Sequence, residues 1–174
     1  FRGLAHSSVL SHRKLKLKDC RRQTNNMSDV LTAEQRSYCM SQIKGAGTKP
    51  EIVIRKTLWG LGYRYRIKNN LPGRPDIVFV SLNTVVFVDG CFWHKCPEHF
   101  VQPKTRAQFW ADKINSNVVR DHRNNEALKL QGWRVIRIWE HEINDSLEES
   151  VGRVVNILES QKHVLRIRDS SATS

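Results

Sequence analysis

No stretch of this sequence is apolar enough to cross a bilayer as a helix, and no segment repeats. Cysteine is scarce: Cys20, Cys39, Cys91 and Cys96 are the 4 present. Cys20 and Cys39 lie in contexts that suggest no disulfide framework, and no secretory signal is visible, so a stapled extracellular scaffold is a weak reading. Acidic residues are few beside basic ones, 17 against 29, for a formal net charge of +12. Such an excess points to polyanionic partners. The 174 residues suffice for one domain with a sizeable core.

That charge is uneven. Residues 1–26 hold 7 Lys/Arg against 1 Asp, so the leader carries half of the excess. It has no apolar h-region and no helical periodicity. Met27-Ser28-Asp29 looks like a natural start, so the leader reads as disordered or non-native upstream sequence, with a basic DNA-binding arm as the functional alternative. A single folded domain is expected over 27–161, and 162–174 reads as a polar tail, frayed from Arg166.

Within the domain, Thr32 with Gln35 forms a helix-start signature for a helix to about Ile43. A second helix opens at Thr48-Lys49-Pro50-Glu51 and ends at Gly62, with Ile52, Leu58 and Leu61 expected to face the core. Glu51 falls in its first turn, where an acid complements the helix dipole. Tyr63 to Arg66 alternates like a strand. A long helix from about Thr105 through Asp121, extending to Leu130, stops at Gly132, and a strand covers Arg134 to Trp139. A last amphipathic helix fits Ser146 to Glu159.

Residues 72–99, PGRPDIVFVSLNTVVFVDGCFWHKCPEH, organise the rest. Ile77 to Val80 and Val85 to Val88 are short apolar runs around Ser81-Leu82-Asn83, a β-hairpin pattern. Antiparallel pairing brings Asp76 and Asp89 to one edge. Two carboxylates there suit a hard cation such as Mg²⁺; as strand-end residues they also suit turns. Cys91-x4-Cys96-x2-His99 has the density of a zinc site, with His141 as the best fourth ligand and His94 as a competitor. A buried Cys pair with surface histidines is the alternative. Phe92, Trp93 and Trp110 read by default as core aromatics. Asp121, between Arg120 and Arg123, reads by default as a solvated or salt-bridged acid.

The run FVDGCFWHKCPEH, with LPGRPD upstream and RAQFW, NVVRD and GWRVIRIWEHE downstream, resembles the very-short-patch repair (Vsr) endonucleases. These are bacterial enzymes that nick DNA at T:G mismatches, and the likeness covers Met27 to Asp145. It implies an α/β fold like that of restriction endonucleases, a mixed sheet flanked by helices, with a structural zinc site. It implies catalytic roles for Asp76, His94, Asp121 and Glu51, with Asp121 hydrogen-bonded to His94. It implies Mg²⁺ at Asp76 and the Val88 carbonyl, with Asp89 as a further candidate ligand. It implies Zn²⁺ at Cys91, Cys96, His99 and His141. Phe92, Trp93 and Trp110 become residues that enter the DNA base stack. The implied partner is double-stranded DNA with a T:G mismatch, alongside mismatch-repair proteins, and the implied protein is a cytoplasmic monomer. The sequence departs from the family pattern at Asp89 (His in some members), at Val88 (Thr in some), in the spacing of the zinc ligands, and at His141, where a Cys can occur. Two other classes use similar parts: a restriction-type endonuclease on paired DNA, and a non-catalytic zinc-dependent DNA-binding module.

Overall fold

The structure is a computed structural model that describes residues 32–42 and 45–172. The leader expected over 1–26 lies outside the described residues. The chain divides into two compact units, Phe1–Lys44 and Gly45–Ser174. In the first, α1 spans Ala33–Ser41. Its start matches the expected capping: the Thr32 N–H donates to Gln35 Oε1 at 2.9 Å, and the Gln35 N–H donates to Thr32 Oγ1 at 3.3 Å.

The second unit holds every candidate site residue. Helix α2 spans Lys49–Gly60 behind Thr48, with Pro50 in its first turn. Strand β1 (Ile77–Phe79) turns through a 3₁₀ segment, Val80–Leu82, and Asn83 into β2 (Thr84–Asp89). Helix α3 (Ala107–Leu130) crosses over to β3 (Arg134–Trp139), followed by α4 (Glu140–Asp145) and α5 (Leu147–Ala172). The sheet order is β1-β2-β3. β1 and β2 are antiparallel, with Ile77 opposite Val86. β2 and β3 are parallel, with Val88 opposite Ile138, which is why a helix-long connection must join them.

The sheet is apolar on both faces, so each face needs a cover. Ile77, Phe79, Val86, Ile136 and Ile138 share one core with Ile54 and Leu58 of α2 and Val151, Val154 and Leu158 of α5. Val78, Val85 and Phe87 pack with Leu128 of α3 on the other. Each such fully buried side chain contributes about 1.5–3 kcal/mol. Helices α2 and α3 both stop as glycine-capped ends. The Tyr63 N–H reaches Leu58 O past Gly62 (φ 92°), and the Trp133 N–H reaches Leu128 O past Gly132 (φ 81°).

Three expectations need correction. The buried face of α2 is Glu51, Ile54 and Leu58; Ile52 is 41% and Leu61 58% exposed. A buried polar first turn displaces the apolar stripe that the sequence suggests. Tyr63 to Arg66 is no full strand: only Arg66 pairs, with Val78, because β1 is 3 residues long and then leaves the sheet plane. The last helix does not end at Glu159 and leave a frayed tail. It continues to Ala172, since Leu165, seven positions after buried Leu158, still packs against the core.

Candidate active site

The first half of the site grows from the hairpin. Asp76 immediately precedes β1, and its Oδ2 accepts the Val88 N–H at 2.8 Å. Within a strand, the N–H and C=O of one residue leave on the same edge. The Val88 carbonyl therefore faces the edge that carries the Asp76 carboxylate, past the last β1 pairing. Arg55 of α2 donates through Nε to Asp76 O at 3.2 Å, and its Nη2 lies 3.6 Å from Asp76 Oδ1. The same Nη2 is 3.0 Å from Glu51 Oε2. Glu51 is buried and also accepts the Gly47 N–H at 2.7 Å and the Thr48 hydroxyl at 2.9 Å. Burial pushes the Asp76 carboxyl up to about 6; the Val88 N–H pulls it back and the Glu51 charge adds to the rise.

The second half gathers at the C-terminal end of β2. The segment after it turns tightly, with the His94 N–H on Gly90 O and the Cys96 N–H on Cys91 O. That turn presents His94 to α3, where Nδ1 lies 2.5 Å from Asp121 Oδ2. Asn117, one turn earlier on α3, donates to Trp93 O at 3.0 Å and fixes the segment. Burial raises the Asp121 carboxyl, but the His94 bond and the nearby Arg137 charge outweigh it and hold the group below the ordinary range. The bond at Nδ1 leaves Nε2 as the ring nitrogen open to a further partner.

Asp89 sits apart from the Asp76 edge in its contacts. Its carboxylate is gripped by Arg137, Nε to Oδ2 at 2.5 Å and Nη2 to Oδ1 at 2.7 Å. Arg137 is diagonal to Asp89 across the parallel strands, since its direct partner is Phe87. Its guanidinium also lies 3.3 Å from Asp121 Oδ2, 3.4 Å from His94 Nδ1, and 3.2 Å from Asn125 Oδ1. Burial alone would lower its affinity for the proton, yet the Asp89 and Asp121 charges raise it further. Arg137 and Arg55 are thus the residues that sequence reasoning missed. Alternation along Arg134–Trp139 marks Arg137 only as polar, and its partner lies 48 positions away.

Cys91, Cys96, His99 and His141 come together, their ligand atoms all within 4.8 Å of one another. His141, from α4, meets Cys91 Sγ at 3.2 Å and Cys96 Sγ at 3.6 Å, and His99 Nδ1 is 3.9 Å from Cys96 Sγ. A tetrahedral ion with sulfur at ~2.3 Å and nitrogen at ~2.0 Å puts S and N about 3.6 Å apart. The donor set and spacing fit such an ion. Glu140 anchors the group by accepting the Cys91 N–H at 2.9 Å. Burial pushes the Cys91 thiol up to about 11, and the neighbouring Cys96 adds to it against the His141 contact. His94, the competing candidate, faces Asp121 instead of this cluster.

Phe92, Trp93 and Trp110 form one half-buried aromatic group. Ring centroids are 5.1 Å apart for Phe92–Trp93, 5.3 Å for Phe92–Trp110 and 6.1 Å for Trp93–Trp110. Phe100 and the exposed Phe109 extend it at 6.0 and 5.4 Å. Among the described residues, no helix is long and apolar enough to cross a membrane.

The sequence model of the family described as DNA mismatch endonuclease Vsr matches residues 28–99, a span that holds Glu51, Asp76 and His94 but not Asp121 or His141. The chain is 43% identical over 134 residues to the type II nicking enzyme V.NaeI of Lentzea aerocolonigenes, across 74% of this chain and 79% of the relative. It is 44% identical over 135 residues to the type II nicking enzyme V.XorIIP of Xanthomonas oryzae pv. oryzae, across 76% of this chain and 98% of the relative. It is 40% identical over 116 residues to the DNA mismatch endonuclease Vsr of Escherichia coli (strain K12), across 66% of this chain and 74% of the relative.

Proposed function

This chain belongs to the Vsr family of DNA mismatch endonucleases, and we propose that it hydrolyses one phosphodiester beside the T of a T:G mismatch, leaving a nick for repair synthesis. The observation that most supports this reading is the His94 Nδ1–Asp121 Oδ2 contact of 2.5 Å. It joins two residues 27 positions apart into an acid–base pair at the end of the strand whose edge carries Asp76. Such a pair is suited to moving a proton in hydrolysis, a task that a DNA-binding module does not have.

The residue roles follow. The Asp76 carboxylate and the Val88 carbonyl would hold Mg²⁺, which when bound supplies an electrophile for the phosphate and activates water. Glu51 and Arg55 position Asp76: Glu51 fixes the guanidinium, and the guanidinium fixes the Asp76 main chain and carboxylate. Asp121 accepts the Nδ1 proton and sets the tautomer of His94, and Nε2 exchanges a proton with the attacking water or leaving oxygen. Asp89, both oxygens engaged by Arg137, serves this pair in preference to the metal. Zn²⁺ would bind Cys91, Cys96, His99 and His141, where it supplies structural cross-linking and keeps the thiols ionised. Phe92, Trp93 and Trp110 enter the base stack, which costs least where pairing is already weak.

The mixed sheet with helices on both faces supports a restriction-endonuclease-like fold. Double-stranded DNA with a T:G mismatch is the proposed substrate, other mismatch-repair proteins the proposed partners, and the bacterial cytoplasm the proposed setting for a monomer. The test is a nicking assay on matched duplexes with T:G, C:G or T:A at one position, in several flanking contexts. A nick confined to the T:G duplex is expected. Equal cutting of all three would make the protein a restriction-type endonuclease, and binding without cutting in Mg²⁺ would make it a DNA-binding module.

A further inference from the structure

Four non-glycine residues among the described ones adopt the left-handed backbone conformation: Arg74 (φ 51°), Asn83 (φ 42°), Lys95 (φ 56°) and Arg106 (φ 53°). Asparagine tolerates this region, because its short amide bonds locally. Arginine and lysine do not, and glycine would sit there without strain. Lys and Arg make up 29 of 174 residues, about one in six, yet they hold three of these four positions. Chance placement is a poor account of that, and the exposure of all three side chains shows that core packing does not select the residue type there.

Their surroundings share a second property. None of the three forms an ion pair among the described residues, whereas Arg55, Arg137 and Arg153 all do. Lys95 Nζ is steadied by Asn115 Oδ1 at 3.1 Å, and the Arg106 guanidinium lies over the Phe109 ring at 4.5 Å. Each steadies the cation without neutralising it. All three also flank the site in sequence: Arg74 precedes Asp76 by two, Lys95 follows His94, and Arg106 opens the helix that carries Trp110. Strained conformations that persist at exposed positions beside a site are best explained by what the side chains contact there.

We infer that Arg74, Lys95 and Arg106 are a set of backbone-strained cations that contact DNA phosphates on either side of the cleaved bond and seat the duplex on the Asp76–His94 edge. This deepens the proposed function and rests on it for the cleaved bond, but not for the phosphate contacts themselves. Phosphate contacts carry no sequence information, so they act alike on paired and mismatched duplex.

The test uses the full chain and two probes, a fully paired duplex and its T:G counterpart, with affinity measured between 50 and 200 mM salt. Each of Arg74→Gln, Lys95→Gln and Arg106→Gln is expected to weaken binding roughly five- to ten-fold at ~0.1 M salt and to lower the salt slope by about 1, equally on both probes. The glycine variants at the same positions should lose the same affinity yet melt about 1–3 °C above their glutamine counterparts, because only the strain differs. Lys56→Gln, an exposed cation in the ordinary helical conformation of α2, should leave the slope unchanged. Full affinity in the glutamine variants overturns the inference, as does an equal loss in Lys56→Gln, which would make the attraction diffuse. Glycine variants that melt no higher than the glutamine ones overturn it too. A wild-type protein that shows these slopes but nicks neither duplex would instead defeat the proposed nicking function and leave the phosphate contacts standing.

Discussion

Asp76 carries a carboxyl pushed up to about 6 from an ordinary 3.8, in a side chain only 20% exposed. A shift of that size is worth about 3 kcal/mol at most. The sign is that of a buried acid: its favourable contribution is full below pH ~4 and is lost as pH rises through about 6, where the folded state must hold the charge. In zinc-loaded, magnesium-free buffer at pH 8, Asp76→Asn is therefore expected to stabilise the fold by about 1–3 kcal/mol, as read by denaturant unfolding. A clear destabilisation would show that the carboxylate serves the fold rather than a ligand. On the proposed mechanism His94 and Asp121 act as one unit. His94→Ala and Asp121→Asn should each slow single-turnover nicking, and the double variant should be little slower than the worse single. Fully additive losses would separate the two residues. At this scale the sequence was readable where a motif names the residue, as for Asp76 and His94. It was silent on Arg137, which matters because Asp89 is only 3% exposed at its side chain. Leaving that charge unpaired would cost about 3–5 kcal/mol.

Among the elements, legibility followed local chemistry. The hairpin was visible because β-branched runs flank a turn, and the ends of α2 and α3 because Gly62 and Gly132 each sit two residues past the last helical residue. The inward stripe of α3 was only half visible. Ile114, Asn117 and Leu128 are its buried residues, and Asp121 and Asn125 lie between them. A stripe that turns polar where it meets the site does not register as an apolar face. Helix α4 was hidden in the same way, being short and polar, yet it carries His141 to the cysteines. Through that residue a zinc ion would tie the segment bearing Phe92 and Trp93 to the end of β3. Structural zinc contributes ~10–16 kcal/mol in small peptides and less beside a larger core. Stripping zinc should thus lower the melting temperature and loosen DNA binding, and added Mg²⁺ should restore neither, because it prefers oxygen ligands. Metal analysis should find about one zinc per chain, lost in Cys91→Ser, Cys96→Ser and His141→Ala but kept in His94→Ala. Zinc kept by His141→Ala and lost from His94→Ala would exchange the two histidines and remove the proposed general base.

For the whole molecule, the formal net charge of +12 suits a polyanionic partner, and the proposed function separates that attraction from the chemistry at Asp76 and His94. The positive surface draws in a polyanion and gives an affinity that falls with salt. On the proposed function the Asp76 carboxylate serves the metal rather than the duplex, so binding and cutting should be separable. Strands β2 and β3 are joined by a helical crossover, α3, which brings Asp121 to His94 and Trp110 to Phe92 and Trp93. The most direct test of this division is single-turnover nicking of the T:G duplex by the wild type and Asp76→Ala across a Mg²⁺ titration, with duplex affinity measured on the same samples. The wild type should cut only with Mg²⁺ and saturate in it, while Asp76→Ala should bind with near wild-type affinity and not cut at any Mg²⁺ concentration. Near wild-type nicking by Asp76→Ala would contradict the account.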